Sequence, residues 1–342
     1  MSEHRFPYKW YLKDGYPESN GLNVFGTFIC GGGSTMGYKL AGFNHLGGVE
    51  IDPKIADVYK TNHKPKHLFN EDIREFNKRT DLPKELYNLD ILDGSPPCST
   101  FSMAGSREKG WGKEKVFREG QAMQTLDDLV FVYCDTIIKL QPKVFLLENV
   151  KGIIQGNAKS YSKKIVQKMT KAGYTVQVFC LNAASMGVPQ KRERVFFIGY
   201  RNGLDYPKLK LVFNERAVTF GEYRESKGSL KGVTDWTKKR LDNYKEGDSC
   251  ISDANFRLTG KVSRFNAMLI SDNQVYPTIT STESNYRTFD KLGCTKNDYI
   301  ISGTYPLDYN FKTVEPKYLI GMSVPPVMTA QIANQIKEQW FI

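Results

Sequence analysis

The sequence lacks a long hydrophobic run. No stretch of about 18 apolar residues is present, as a membrane-spanning helix requires, and the first 20 residues are polar and aromatic, without the apolar segment of a signal peptide. These absences argue against an integral membrane protein and a secreted one. We expect a soluble protein of the cytoplasm with no membrane partner.

Clustered metal ligands are also scarce. The six cysteines are spread singly along the chain, no CxxC pair occurs, and the chain has four histidines. Zinc sites draw on close pairs of such residues. The pattern argues for a reducing compartment, and we expect no metal site.

The composition suits a globular protein with a polyanionic partner. At 342 residues with 40% hydrophobic content, the chain is long enough for one large α/β domain and a smaller one. Lysine and arginine total 48 against 37 aspartate and glutamate, a formal net charge of +11. This balance favours a polyanionic partner without identifying it, and basic proteins that bind no nucleic acid have similar compositions.

The pattern of residues 22–200 predicts a parallel sheet with crossover helices, because short apolar runs alternate with amphipathic stretches. The predicted strands are 22–30, 46–51, 89–93, 144–148, 174–181 and 195–200, and the predicted helices are 54–62, 123–140 and 162–172. Residues 201–275 are polar with little periodicity and predict a separate small domain. Residues 324–340 are again helix-like.

A glycine-rich turn follows the first predicted strand. Phe28-Ile-Cys-Gly-Gly-Gly-Ser34 lets the backbone approach a nucleotide-like ligand at the carboxyl end of that strand; a tight connection without a ligand is the alternative. The spacing to Gly37 departs from GxGxxG, which argues against a dinucleotide. Glu50 ends the second strand, where a carboxylate can accept both ribose hydroxyls, and Asp72 is similarly placed near a later strand; a solvated cap is the alternative for both.

Three segments predict a catalytic centre. The segment DGSPPC places Cys98 directly after a strand, at the edge where ligands bind, so it is a candidate nucleophile rather than a packing residue. Glu148 ends an apolar strand and could hold or donate a proton, or cap the next helix. Arg192 and Arg194 fall on the same side of an extended segment and are candidates to point into a cleft, the alternative being a solvated basic face.

Together these motifs carry a resemblance. In chain order, FICGGG, VEID, GSPPCSTFS, LLENV, PQKRERVFFIGY and GMSVPP resemble the cytosine-C5 DNA methyltransferase family of bacteria and phages. The likeness covers roughly residues 22–200 and 300–340. It implies an α/β, Rossmann-like sheet of the S-adenosylmethionine-dependent methyltransferases with a smaller target-recognition domain. The implied division is an N-terminal extension 1–20, a catalytic and cofactor-binding domain 21–200, a target-recognition domain 201–300, and a C-terminal segment 301–342 that returns to the catalytic domain.

The resemblance assigns roles to single residues. It implies that Cys98 attacks C6 of a cytosine, which makes C5 nucleophilic enough to take a methyl group. Glu148 would hydrogen-bond N3 and the exocyclic amine, and Arg194, with Arg192 beside it, would contact the base or stabilise the thiolate. The implied cofactor is S-adenosyl-L-methionine. Its implied pocket consists of Phe28, Gly31, Gly32, Gly33, Glu50, Ile51, Asp72, Ile73, Leu129, Ser323 and Val324.

The implied substrate is a base in double-stranded DNA, which must be flipped out of the duplex. We expect the loop 103–120 to close over the DNA; an ordinary solvated loop is the alternative. The candidate DNA contacts are Ser102, Trp111, Gln190, Arg257 and Arg264. We expect a monomer associated with the nucleoid, with a cognate restriction endonuclease as a candidate partner.

The sequence departs from the family pattern at three places. Ser99 stands where many members have glutamine, Gly26 where an acid usually precedes the glycine turn, and Met322 where an asparagine usually contacts the cofactor.

Three other functions are weighed. A transfer-RNA methyltransferase of the same fold would meet its base in a single-stranded loop, but the Cys-Phe-Thr tripeptide associated with that subgroup is absent. A catalytically silent DNA-binding scaffold is disfavoured because Cys98, Glu148 and Arg194 are all retained. A nicotinamide-dependent oxidoreductase is disfavoured by the glycine spacing.

Overall fold

A seven-stranded sheet organises the larger part of the chain. The computed structural model describes residues 4–97, 129–263, 267–280 and 285–341. The strands are β1 Asn23–Thr27, β2 Asn44–Val49, β3 His67–Phe69, β4 Ile91–Gly94, β5 Val144–Val150, β6 Tyr174–Asn182 and β7 Glu193–Arg201. They stand in the order β3-β2-β1-β4-β5-β7-β6. This mixed α/β sheet confirms the predicted fold class.

The sheet is parallel except at β7, which runs antiparallel to both β5 and β6. The prediction of parallel strands throughout is therefore wrong at this edge. Only residues 183–192 join β6 to β7, and antiparallel neighbours need no crossover helix between them. The strand β3 was not predicted, because its three half-buried residues form no apolar run that a sequence pattern can detect.

The helices of this sheet alternate with its strands. They are α1 Gly33–Leu40, α2 Pro53–His63, α3 Ile73–Lys78, α4 Leu129–Leu140 and α5 Lys159–Lys171. The helix predicted over 123–140 is described from Leu129 onward, and its earlier residues lie outside the described part of the chain. Short 3-10 helices occur along the described chain, at Leu12–Asp14, Lys84–Tyr87, Lys151–Ile154, Gly156–Ala158, Ala183–Met186 and Phe220–Glu222.

The sheet packs on these helices through a large apolar core. Phe25, Phe76, Phe145 and Leu92 belong to it, together with Tyr133 of α4. The Tyr133 hydroxyl lies 2.9 Å from the carbonyl oxygens of both Leu92 in β4 and Leu146 in β5. This contact seats α4 across the two strands that lead to the predicted catalytic segments.

The chain forms two compact units. The sheet unit comprises Tyr16–Asn182, Glu193–Val212 and Thr329–Ile342, and the second unit comprises Met1–Gly15, Ala183–Arg192 and Phe213–Met328. These limits differ from the expected boundaries at residues 20, 200 and 300. Residues 4–15 belong to the second unit because the buried Trp10 donates its indole N–H to the Thr304 carbonyl at 2.9 Å, and the Leu12 amide bonds Asp308.

The second unit combines short helices with a two-stranded parallel sheet. Its elements are α6 Asp235–Leu241, α7 Ile251–Thr259, β8 Met268–Ile270, β9 Asn285–Arg287, α8 Lys296–Ser302 and α9 Pro316–Met322; α10 Pro326–Trp340 follows and lies in the sheet unit from Thr329. Leu241, Ile251, Leu269 and Tyr286 pack in a core of their own. Among the described residues of both units, no helix has the length and apolar character that crossing a membrane requires.

Candidate active site

The turn between β1 and α1 has a strained backbone. Phe28 and Cys30 both have left-handed φ angles, 55° and 48°, which cost a non-glycine residue about 1 kcal/mol or more each. Gly32 is also left-handed, at 76°, and a Cβ placed there would lie 2.3 Å from Nε2 of His63. The turn therefore has one conformation that its neighbours must hold in place.

Two side chains from outside the turn hold it. Glu50, at the carboxyl end of β2, accepts a hydrogen bond from the Cys30 amide at 2.9 Å. His63, the last residue of α2, places Nε2 3.1 Å from the Gly31 carbonyl. Burial lowers the pKa of His63 to about 3, so the ring is neutral and must carry its proton on Nε2 to make this bond. His63 was not predicted, because nothing near it in the sequence marks it as a site residue.

Glu50 is the buried acid of this region. Its second oxygen accepts the Asp52 amide at 2.9 Å. Burial nevertheless raises the pKa of Glu50 to about 7, against the opposing effect of these backbone donors. Additional hydrogen-bond donors would stabilise its ionised form further. Ile51, the next residue, is half-buried.

Other residues of the predicted cofactor pocket gather beside the turn. Ile73 and Leu129 are buried against each other, with Phe28 packed on them. Asp72 begins α3 by accepting the Arg74 amide at 2.7 Å and pairs with the Arg74 guanidinium at 3.2 Å. The structure thus brings together the predicted residues Phe28, Ile73 and Leu129 of the sheet unit.

A buried ion pair lies near the carboxyl end of β5. Nε of Arg194 in β7 is 3.0 Å from Oε1 of Glu148, and both side chains are largely buried. Burial lowers the pKa of Arg194 from its ordinary value, while Glu148 acts in the opposite direction. A buried carboxylate without such a partner would be costly. The predicted association of Glu148 with Arg194 is present in the sheet unit.

Asn149 connects this strand to the segment that leads to the predicted nucleophile. Its side-chain amide donates to the Pro96 carbonyl at 3.2 Å, and Pro96 is two residues before Cys98 in the sequence. Cys98 itself, with Ser102, Trp111 and Arg264, lies outside the described residues. Asn149 was not predicted as a site residue, although the sequence shows an amide directly after Glu148.

The two arginines predicted to lie together have different surroundings. Arg192 belongs to the second unit, where its guanidinium donates to the carbonyls of Ile279 at 3.4 Å and Gly321 at 3.1 Å. It precedes β7, which begins at Glu193, so the alternation of a strand does not extend to it. Arg194, by contrast, pairs with Glu148.

Other predicted residues also have partners within the second unit. The buried Gln190 donates to the Ser302 carbonyl and accepts the Ile279 amide, and Arg257 forms a two-pronged ion pair with Asp248. The Ser323 hydroxyl donates to the Leu319 carbonyl at 2.8 Å and accepts the Tyr305 hydroxyl at 2.7 Å. Val324 is buried there. No group of side chains able to hold a metal ion occurs in the described ranges.

Comparison with known proteins decides the family. The sequence profile of the C-5 cytosine-specific DNA methylases matches residues 22–338, which is most of the chain. The chain belongs to this family.

Individual members agree with this assignment over nearly their whole length. The Type II methyltransferase M.FnuDI of Fusobacterium nucleatum is 29% identical over 352 aligned residues, which cover 93% of this chain and 94% of that protein. M1.HphI of Haemophilus parahaemolyticus is 32% identical, covering 92% of this methylase and 86% of the relative. A solved structure of Spodoptera frugiperda DNMT2 shares the fold, with a TM-score of 0.65 at 16% identity, and covers 94% of this chain and 100% of its own.

Asn149 offers a first test of the site in this methylase. Asn149→Ala removes the amide that anchors Pro96, so the turnover rate for cytosine methylation in DNA should fall roughly tenfold, the effect of one buried hydrogen bond left unmade. Measured cofactor affinity should stay unchanged. Asn44→Ala, at the amino end of β2, is the matched control and should keep full activity. Equal rates for both variants would contradict a role for the Asn149 contact.

Proposed function

We propose that this C-5 cytosine-specific DNA methylase takes its methyl group from S-adenosylmethionine and uses Cys98 as the nucleophile, with the ion-paired Glu148 and Arg194 holding the target cytosine. The observation that carries the proposal is the buried pair itself, at the end of β5 next to the Asn149 contact to Pro96. A largely buried carboxylate fixed by a guanidinium is suited to a flat, polar ligand.

The residues beside the glycine turn fit S-adenosylmethionine. The turn exposes no side chain at Gly31, Gly32 and Gly33, and its strained backbone is held by neighbouring elements, as at sites where a ligand approaches the chain closely. Glu50 accepts backbone amides, those of Cys30 and Asp52 among them, yet burial raises its pKa to about 7. A ribose diol would supply further donors that favour the carboxylate. When bound, the cofactor supplies a methyl group for transfer.

Side chains of the protein would bind the cytosine and activate it for methyl transfer. The Cys98 thiolate adds to C6 of the flipped cytosine and pushes electrons toward C5 and N3. One oxygen of Glu148 accepts a hydrogen bond from the exocyclic amine. A proton taken up from solvent lies between the carboxylate and N3, neutralises the charge that builds on the ring, and is released when the adduct breaks down. Arg194 keeps the Glu148 carboxyl in position. After C5 carries the methyl group, a base removes the C5 proton and the thiolate leaves.

We further propose that exposed lysines of the second unit contact DNA phosphates. Several cations of residues 201–275 bond to the protein itself: Arg224 to Asp272, Arg240 to Asn255, and Arg257 to Asp248. Lys238 and Lys239 of α6, in contrast, are exposed. Exposed lysines supply affinity that falls with salt and carries no sequence information. The names of the relatives suggest a restriction-modification setting, in which a cognate endonuclease would recognise the same site.

The reaction itself provides the main test. Unmethylated duplex DNA and transfer RNA are incubated in parallel with S-adenosylmethionine labelled in its methyl group. We expect labelled 5-methylcytosine in DNA, no label with Cys98→Ser, and at least a 100-fold slower transfer with Glu148→Gln, which keeps the shape of the side chain but not its charge. Label in RNA alone would show that transfer RNA, and not DNA, is the substrate. Label that survives Cys98→Ser would contradict the covalent step.

Cofactor binding should depend on pH through Glu50. Because its pKa is raised to about 7, the side chain is mostly protonated below that pH, and a proton must leave before both ribose hydroxyls can be accepted. Affinity should therefore rise with pH, by about 15-fold from about pH 5.5 to about pH 7, and level off above that. Calorimetric titration should show this rise for the wild type and for Glu85→Gln, a surface carboxyl control. Glu50→Gln should bind more weakly with a flat profile; an unchanged profile would contradict the assignment.

The lysines of α6 are tested by salt dependence. Lys238→Gln combined with Lys239→Gln should weaken binding to any duplex and reduce the slope of log affinity against log salt by about 2, one for each phosphate that is no longer neutralised. Lys84→Gln, a surface lysine of the sheet unit, serves as the control. An unchanged slope in the double variant would show that α6 does not contact DNA.

A further inference from the structure

A second buried acid lies close to the glycine turn. Asp93, near the carboxyl end of β4, is 4% exposed. The Tyr38 hydroxyl donates to its Oδ1 at 3.3 Å, and the Ser34 hydroxyl lowers the pKa of the same carboxyl. Burial, followed by the charge of Glu148, raises the pKa of Asp93 to about 7. Neither the proposed base contacts nor the proposed cofactor contacts require a buried carboxyl group at this position.

The register of the sheet places Asp93 opposite position 26, where the resemblance implies an acid that this chain lacks. β1 and β4 are parallel neighbours, and Gly26 is paired directly with Asp93. Residues opposite each other on adjacent strands project to the same face of a sheet. The resemblance to the family implies an acid at position 26, before the glycine turn, where this chain has glycine. The carboxyl of Asp93 therefore lies on the face to which an acid at position 26 would point, one strand away.

The structure also explains why position 26 has no side chain. A Cβ at Gly26 would lie 2.7 Å from Cγ2 of Ile29 and 3.5 Å from the His45 ring. An acid there would need Ile29 to move, whereas Asp93 reaches its partners from β4 without that clash.

The partners of Asp93 belong to the helix that the glycine turn opens. Ser34 and Tyr38 are four residues apart in α1, so they lie on the same face of the helix. Gly33 is the first residue of α1, and the strained residues Phe28 and Cys30 come just before it. Because Asp93 accepts the Tyr38 hydroxyl, it can set the position of the first turns of α1 and, through them, the end of the glycine turn.

We propose that Asp93 is a positioning residue of the S-adenosylmethionine site, which holds α1 and the glycine turn from β4 in place of the acid missing at Gly26. The inference takes the identity of the cofactor from the proposed function. The hold of Asp93 on α1 and the glycine turn does not depend on that function. Asp93 makes no contact with the cofactor in this proposal; it acts through Ser34 and Tyr38.

The first experiment compares Asp93→Val, which removes the acceptor, with Asp93→Asn, which keeps Oδ1. Asp90→Val is the matched control: Asp90 is a buried acid directly before β4 and accepts the Asn23 amide and the Lys143 ammonium. Hydrogen exchange is measured without cofactor, and the affinity for S-adenosylmethionine by calorimetry. Asp93→Val should speed exchange at residues 29–40 and weaken cofactor binding by roughly tenfold to a hundredfold.

The controls separate positioning from general stability. Asp93→Asn should bind the cofactor within about threefold of the wild type, and Asp90→Val should leave exchange at residues 29–40 and cofactor affinity unchanged even if its melting temperature falls. Asp93→Val with wild-type exchange at the turn and wild-type affinity would overturn the proposal. A wild-type protein that binds no S-adenosylmethionine would instead refute the proposed function, and the exchange data would still decide whether Asp93 holds the turn.

A second experiment moves the acid between strands. Ile29→Ala removes the methyl group that blocks position 26, and the triple variant Gly26→Asp, Ile29→Ala, Asp93→Gly then carries the acid on β1. Its cofactor affinity should exceed that of Ile29→Ala, Asp93→Gly by about tenfold and approach that of Ile29→Ala alone. Equal affinities of the triple and double variants would refute the idea that an acid at position 26 can replace Asp93.

Discussion

The site depends on the strained turn between β1 and α1. Two non-glycine residues there have left-handed φ angles, and such a conformation persists only where its surroundings determine it. Three elements supply that restraint: Glu50 from the end of β2, His63 from the end of α2, and, through α1, Asp93 from β4. The free energy stored in the turn is offset by bonds that each come from a different part of the sheet unit.

The same region concentrates buried charge, which makes its groups interdependent. Asp93 and Glu148 lie on neighbouring strands, and the charge of Glu148 raises the pKa of Asp93, whereas Arg194 compensates Glu148. Burying a carboxyl group lowers stability unless it is paired or protonated. Burial raises the pKa of both Glu50 and Asp93 to about 7. For these two groups the free-energy cost of burying an ionised carboxylate is not offset by an ion pair among the described residues. Perturbed carboxyls of this kind are typical of functional sites.

Much of the fold and part of the site could be predicted from local patterns. Each strand from 22 to 200 that has an apolar run was predicted, and Glu50 and Glu148 stood out because carboxylates end those runs. The short strand β3 and the antiparallel direction of β7 were missed, since neither three residues of mixed polarity nor a strand's direction leaves a local signal. His63 and Asp93 act across the sheet, on partners 32 and 55 residues away, and no local pattern carries such pairings. The roles of the site residues, and the target-recognition domain, remain predictions.

The run Lys191-Arg192-Glu193-Arg194 shows why adjacent residues need not share a role. β7 begins at Glu193, which pairs with Asn182 of β6, and the ladder with β5 begins at Arg194, opposite Val150. From Arg194 onward this pairing with β5 fixes the face to which each side chain projects. Within that ladder Phe145 and Leu147 are in the apolar core, so Glu148 must project to the opposite face, where it pairs with Arg194. A slip of one residue would bury Glu148 in the core and lose the bond from Asn149 to Pro96. The hydrophobic residues of β5 therefore determine the position of the Glu148 carboxylate and, through Asn149, that of Pro96.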